Sequence, residues 1–133
     1  RMVGQALAHE PITVFGSGTQ RRCFVWVKDV VGALVALAHH PQAIGNIYNI
    51  GNSNEIRIAD LAKLIKRLTG STSEIQNIPY DQAYESGFED MDRRVPCLEK
   101  IHHLTGYVPT LSVEEIIVQV IEHVKQKAIS LAS

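Results

Sequence analysis

The chain reads as an α/β domain in which helices pack on short strands, and three observations predict that class. Runs of four or five β-branched and aromatic residues alternate with stretches of helical period. Glycine or proline closes most of those runs. The length of 133 residues and a hydrophobic fraction of 45% suit one compact domain with a sizeable core.

The elements follow in order. Arg1 lies inside a helical stretch carrying Met2, Val3, Ala6 and Leu7, so the sequence reads as a piece of a longer protein and not as one that opens on a targeting segment. After Pro11, Ile12–Phe15 alternates as a strand, and Gly16-Ser17-Gly18 is expected to be a hairpin turn. The apolar run over 23–27 predicts a strand buried on both faces. Asp29 is placed to cap a helix over 30–39 that Pro41 stops. Residues 47–50 predict another short buried strand, ended by Gly51. From Ile58 a helix carries Leu61, Leu64, Ile65 and Leu68 on one face, and Gly70 ends it. Residues 74–80 read as a strand, 81–92 as an acidic surface loop, and 98–104 as a short helix closed by Gly106. Ser112-Val113-Glu114-Glu115 is a capping box opening a helix with Ile116, Ile117, Val120, Ile121 and Val124 as its apolar positions.

Charge narrows the function classes. Thirteen basic against fourteen acidic side chains give a net charge of -1, so no global basic field recruits nucleic acid and no polybasic run holds a membrane. No apolar run approaches transmembrane length. Cys23 and Cys97 form no C-x-x-C pattern, and two isolated thiols point to a reducing cytoplasm. The histidine pairs His39-His40 and His102-His103 are adjacent in sequence and do not converge on one metal, so no metal site is expected.

Any anion binding must therefore be local, and the arginines carry it. Gly16-x-Gly18 is not a dinucleotide fingerprint, because Arg21 stands where the next glycine belongs and a strand follows in place of a helix. Adjacent strand residues point to opposite faces, and Arg22 shares its face with Phe24 and Trp26, which favours Arg22 as the inward arginine and leaves Arg21 exposed. A guanidinium fork beside a tight turn suits phosphate; the alternative is two solvated surface arginines. Arg93-Arg94-Val95-Pro96 precedes a helix with Pro96 near its first turn, where positive charge opposes the helix dipole and calls for an anion. Glu85, Glu89, Asp90 and Asp92 are the internal alternative to a ligand there. Ser17, Thr19 and Cys23 have no histidine at a catalytic spacing, and no Tyr-x-x-x-Lys pair occurs, so no catalytic residue is assigned.

Taken together, the motifs resemble the C-terminal part of the extended short-chain dehydrogenase/reductase family, the NAD-dependent nucleotide-sugar epimerases, dehydratases and decarboxylases. The resembling residues are Pro11-Ile12-Thr13-Val14-Phe15-Gly16-Ser17-Gly18-Thr19-Gln20-Arg21-Arg22-Cys23-Phe24 with Asp29, Tyr48-Asn49-Ile50-Gly51-Asn52, Arg93-Arg94-Val95-Pro96, and Leu104-Thr105-Gly106-Tyr107-Val108-Pro109. The resemblance implies that residues 1–133 are a substrate-binding region lacking most of the N-terminal Rossmann domain. It implies a UDP- or dTDP-sugar ligand, with Arg22 and Arg94 on the diphosphate, the strand of Val14 and Phe15 along the base, and Asn49 near the substrate. It also implies NAD in the parent protein, with the NAD loop and the catalytic Tyr-x-x-x-Lys pair outside this chain, so that these residues alone are catalytically silent. Cys97 departs from the pattern, standing where an aspartate commonly follows the proline. Alternatives are a stand-alone nucleotide-sugar binding module, or a domain that self-associates as a homo-oligomer through the exposed strand edges at 24–27 and 47–50.

Overall fold

A computed structural model describes residues 1–83 and 90–132, with side chains through 128. The order is α1 (Met2–Leu7), β1 (Ile12–Phe15), β2 (Arg21–Cys23), α2 (Val27–Ala38), a 3-10 turn (Pro41–Ala43), β3 (Glu55–Arg57), α3 (Ile58–Thr69), β4 (Ile75–Ile78), α4 (Tyr80–Ala83), α5 (Glu99–Thr105) and α6 (Val113–Ala132). The architecture is α/β with short strands, as the sequence predicts.

Two separate strand pairs organise it. β1 runs parallel to β4, Ile12 opposite Ile75 through Phe15 opposite Ile78. A parallel pair needs a long crossover, and the connection between β1 and β4 contains α3, whose Leu61, Ala62 and Ile65 are buried. They join Val3, Ala6, Ile12, Val14, Ile117 and Ile121 in one core between α1, β1, α3 and α6. α3 stops at Gly70, which takes the left-handed conformation. The capping box forms: the Glu115 carboxylate accepts from Ser112 N–H at 2.7 Å and Ser112 Oγ accepts from Glu115 N–H at 3.3 Å.

β2 pairs antiparallel with β3, Arg22 opposite Ile56. The turn at Gly16–Gly18 therefore joins strands of different sheets and is not a hairpin. Gly16 and Gly18 both have positive φ, at 67° and 73°. A Cβ at Gly16 would strike the Tyr80 ring, and one at Gly18 would lie 2.9 Å from both Ala59 Cβ and Val14 Cγ1. Glycine is needed here for close packing as well as for the turn.

Four further expectations are corrected. The run over 23–27 is not a buried strand: β2 ends at Cys23, Val27 opens α2 and is 60% exposed. β3 is only three residues long and offers nothing to pair beyond Cys23, and a short apolar run fits a helix start equally well. Asp29 is not the cap of α2, which is Trp26; it lies in the first turn and accepts from Thr110 Oγ1 at 2.7 Å and Thr110 N–H at 2.9 Å. Residues 47–50 form no strand, and Ile47 is 86% exposed. Self-association through those strand edges thus loses its structural basis; the exposed apolar side chains include four on α2 (Val27, Val31, Leu34 and Val35), with others at Ile44, Ile47, Met91 and Val108. β4 stops at Ile78, and Tyr80 opens α4, so only part of the expected loop over 81–92 is irregular; Glu85 and Glu89 lie outside the described residues.

Candidate functional site

The two arginines meet because the chain after Asp90 is laid beside β2. Arg21 N–H donates to Asp92 O at 2.8 Å, and Arg21 and Arg93 form a parallel bridge. Side chains alternate across strands, so Arg21 and Arg93 share one face while Arg22 and Arg94 share the other. Arg22 and Arg94 line one cleft of about 490 Å³, together with Cys23, Asn49, Asn52 and Pro96. Pro96 closes on Gly51, where a Cβ would lie 3.1 Å from Pro96 Cγ. Asn49 Nδ2 donates to Cys97 O at 3.3 Å, holding the 49–52 wall against the arginine segment.

The four arginines of the two pairs differ in how they are held. Arg22 donates to Arg21 O and Met91 O, each at 2.7 Å, and to the Asp90 carboxylate. Arg93 forms a bidentate pair with Glu55 at 2.8 and 2.9 Å. Arg94 is exposed; its carbonyl accepts from Cys23 Sγ at 3.7 Å, and its guanidinium makes no hydrogen bond or ion pair with the described residues. Arg21 is half-buried, not exposed, because the 92–93 segment covers β2. The Arg93-Arg94 pair does not head a helix: α5 starts at Glu99 with Leu98 as its cap, and Pro96 lies before it. The helix-dipole argument for an anion there falls, and the face-sharing argument replaces it.

Val14 and Phe15 do not join the cleft. Val14 is fully buried in the core, so its side chain cannot touch a ligand. Phe15 is half-buried with the Arg1 guanidinium 4.2 Å from its ring centroid. Asp90, and two residues that the sequence did not single out, Glu55 and Tyr80, complete the surroundings. Glu55 claims Arg93, Asp90 claims Arg22, and Tyr80 Oη donates to Asp90 at 3.0 Å. Only Glu55-Ile56-Arg57, alternating polar and apolar, carried a strand signal that would have found Glu55.

The electrostatics favour binding over bond-making. Burial, and then the Glu55 carboxylate, push the Cys23 thiol up against a smaller lowering by Arg93, so it stays protonated and is a poor nucleophile. The hydrogen bond from Arg93 holds the Glu55 carboxyl below its ordinary range. Among the described residues no group of three or more His, Cys, Asp or Glu is placed to hold a metal, and no helix is long and apolar enough to cross a membrane. A dinucleotide does not fit the glycine turn: its two glycines open onto Tyr80, Ala59 and Val14, and β2 follows where a helix N-terminus would be needed. In a second depression, between α2 and the turn at Tyr107, Lys28 is joined by polar side chains that are already engaged. Asp29 is taken by Thr110, and Tyr107 Oη donates to Gly51 O at 2.8 Å.

Residues 1–51 match the model of the NAD dependent epimerase/dehydratase family. UDP-N-acetyl-alpha-D-glucosaminuronate decarboxylase of Bacillus cytotoxicus is 36% identical over 115 residues, covering 86% of this chain and 36% of that protein. UDP-glucuronic acid decarboxylase 1 of Danio rerio is 40% identical over 111 residues, 84% of this chain and 25% of that protein. Among solved structures, an epimerase of Methanothermobacter thermautotrophicus superposes with a TM-score of 0.88 at 21% identity, over 98% of this chain and 38% of that one. UDP-glucuronic acid 4-epimerase of Bacillus cereus, solved with UDP-glucuronic acid and NAD, gives 0.82 at 25% identity, over 95% and 38%. The chain thus spans about a quarter to two fifths of the length of the relatives it matches, and it belongs to the NAD-dependent epimerase/dehydratase family of extended short-chain dehydrogenases/reductases.

Proposed function

We propose that this chain is the nucleotide-sugar grip of an NAD-dependent epimerase, dehydratase or decarboxylase, with Arg22 and Arg94 as the two arms on the diphosphate. The observation that carries this is their convergence on one cleft from segments far apart in sequence. Two cations on one face give a diphosphate charge-assisted, fork-shaped hydrogen bonds that a neutral sugar cannot exploit. Asn49, on the same wall, is the polar group that faces the sugar or ribose. Phe15 and the backbone at Val14 belong to the neighbouring sheet and stand apart from this grip. The names of the decarboxylase relatives favour a UDP-sugar bearing a carboxylate over a dTDP-sugar. NAD and the catalytic base belong to parts of a parent protein outside these residues, so the chain by itself holds substrate without turning it over.

NMR titration with UDP tests the grip. The chain should bind weakly, in the millimolar range, because a site between two regions is only half present. Arg22→Ala and Arg94→Ala should each weaken binding by about tenfold or more, the loss of a charged hydrogen-bonding partner being roughly 1.5–3 kcal/mol. Binding unchanged in both variants would sink the assignment. Turnover of UDP-glucuronate by the chain with added NAD would overturn its silence. The exposed apolar face of α2 supports a second reading, association of this chain with another protein surface, which sedimentation at high concentration would reveal.

A further inference from the structure

The glycine turn and the cleft are joined by a chain of polar contacts that the grip alone does not require. The Tyr80 ring sits over Gly16, where no other residue leaves room for it. Buried Gln20 donates to Tyr80 Oη at 2.9 Å and to Phe15 O at 3.0 Å. Tyr80 Oη in turn donates to one Asp90 oxygen, and the other Asp90 oxygen takes Arg22. Asp90 does not line the cleft that Arg22 lines. The carboxylate therefore holds the guanidinium from outside the ligand space. Three of the five N–H donors of Arg22 are spent on Arg21 O, Met91 O and Asp90, leaving two for a ligand.

We propose that Asp90, oriented by Tyr80 over Gly16, is a positioning residue that fixes the Arg22 fork for the diphosphate. The proposal rests on the reading of Arg22 as a diphosphate ligand. A long side chain frozen on binding costs about 0.5–1.5 kcal/mol, and Asp90 removes that cost in advance by holding Arg22 in the unliganded chain. The charge of Asp90 acts the other way, repelling an anion, so the two effects compete and the variants must separate them. Asp90→Asn keeps an acceptor for Arg22 and drops the charge; Asp90→Ala drops both.

Two readouts on the purified chain decide it: UDP affinity by NMR titration, and rotation about the Arg22 Nε–Cζ bond from its guanidinium resonances. If Asp90 positions Arg22, Asp90→Ala speeds that rotation and weakens UDP roughly two- to twelvefold, the cost above read as a ratio. Asp90→Asn then binds more tightly than Asp90→Ala. Tyr80→Phe, which keeps the ring over Gly16, shows a smaller loss in the same direction and serves if Asp90→Ala does not fold. Tighter UDP binding by Asp90→Ala than by wild type would make Asp90 a competitor and overturn the proposal, as would unchanged rotation. Should the wild-type chain bind no UDP, the nucleotide-sugar reading fails, and the rotation comparison still decides whether Asp90 fixes Arg22.

Discussion

In the layer of α1, β1, α3 and α6, Ile12, Val14 and Ala62 have no exposure, whereas on α2 the side chains of Val27, Val31, Leu34 and Val35 are each more than half exposed. Both regions carry apolar residues at helical spacing, and only the first has a surface to lay them on. α2 buries Ala33 and leaves its broader apolar face bare. The accessible surface of 8849 Å² shows the same imbalance, against about 6,900 Å² for a compact monomer of this mass. The excess, about 1,900 Å², is roughly twice what one partner contributes to a standard interface. Interaction surfaces are commonly built from apolar faces of that kind, and this one is set apart from the layer that holds the chain together. Its strongest test is in the closed layer. Ile65→Ala, removing a core side chain 4% exposed, should cost about 2–5 kcal/mol in urea unfolding. A loss below about 1 kcal/mol would show that the layer is not the seat of stability.

A smaller effect is expected where the cleft is tied to the rest of the fold by charge. Glu55 is bound by Arg93, and its carboxyl pKa is lowered first by that hydrogen bond. A folded pKa below the unfolded one adds stability above the ordinary carboxylate range, and that stability is lost as pH falls through the folded value. Wild type should therefore exceed Glu55→Gln in urea midpoint at neutral pH, and the gap should close as the solution is acidified below about pH 4. A gap that stays constant from neutral to acid pH would mean that the pair does not clamp the 92–94 segment.

The difference between the two regions also explains how far the sequence could be read. β1, α3 with its Gly70 stop, and the Ser112 capping box were legible because local chemistry specifies them: alternation, a left-handed glycine, a reciprocal cap. The runs at 23–27 and 47–50 misled because an apolar run says that it wants burial and not in which conformation. Phe24 finds its packing on the core from beyond the end of β2, while Ile47 stays exposed, so tertiary context and not the run itself fixes their form. Residue type and order single out Arg22 and Arg94 but do not show why they converge. Their convergence depends on a parallel bridge between Arg21 and Arg93, and a single long-range contact leaves no periodicity. Asp90, which the sequence offers as a partner for the second arginine pair, is the partner of the first.

The smallest expected effect is the one that most directly probes the open region. Leu34 is 54% exposed in the middle of α2, and Leu and Lys have similar helix propensity, so Leu34→Lys changes little except surface character. If the face is open in solution, the unfolding free energy should shift by no more than about 0.5 kcal/mol, as for an ordinary surface substitution. The same change puts a charge in the centre of a patch formed by Val27, Val31 and Val35, so any concentration-dependent association through α2 should fall. Equilibrium sedimentation of both forms reads the second quantity, and urea unfolding at low concentration reads the first. A loss near 2 kcal/mol with no change in association would show that Leu34 is buried within the monomer, and the contrast between the two regions would not survive it. A stability unchanged together with weakened association would instead sharpen the contrast, because the same residue would then matter only when a second surface is present.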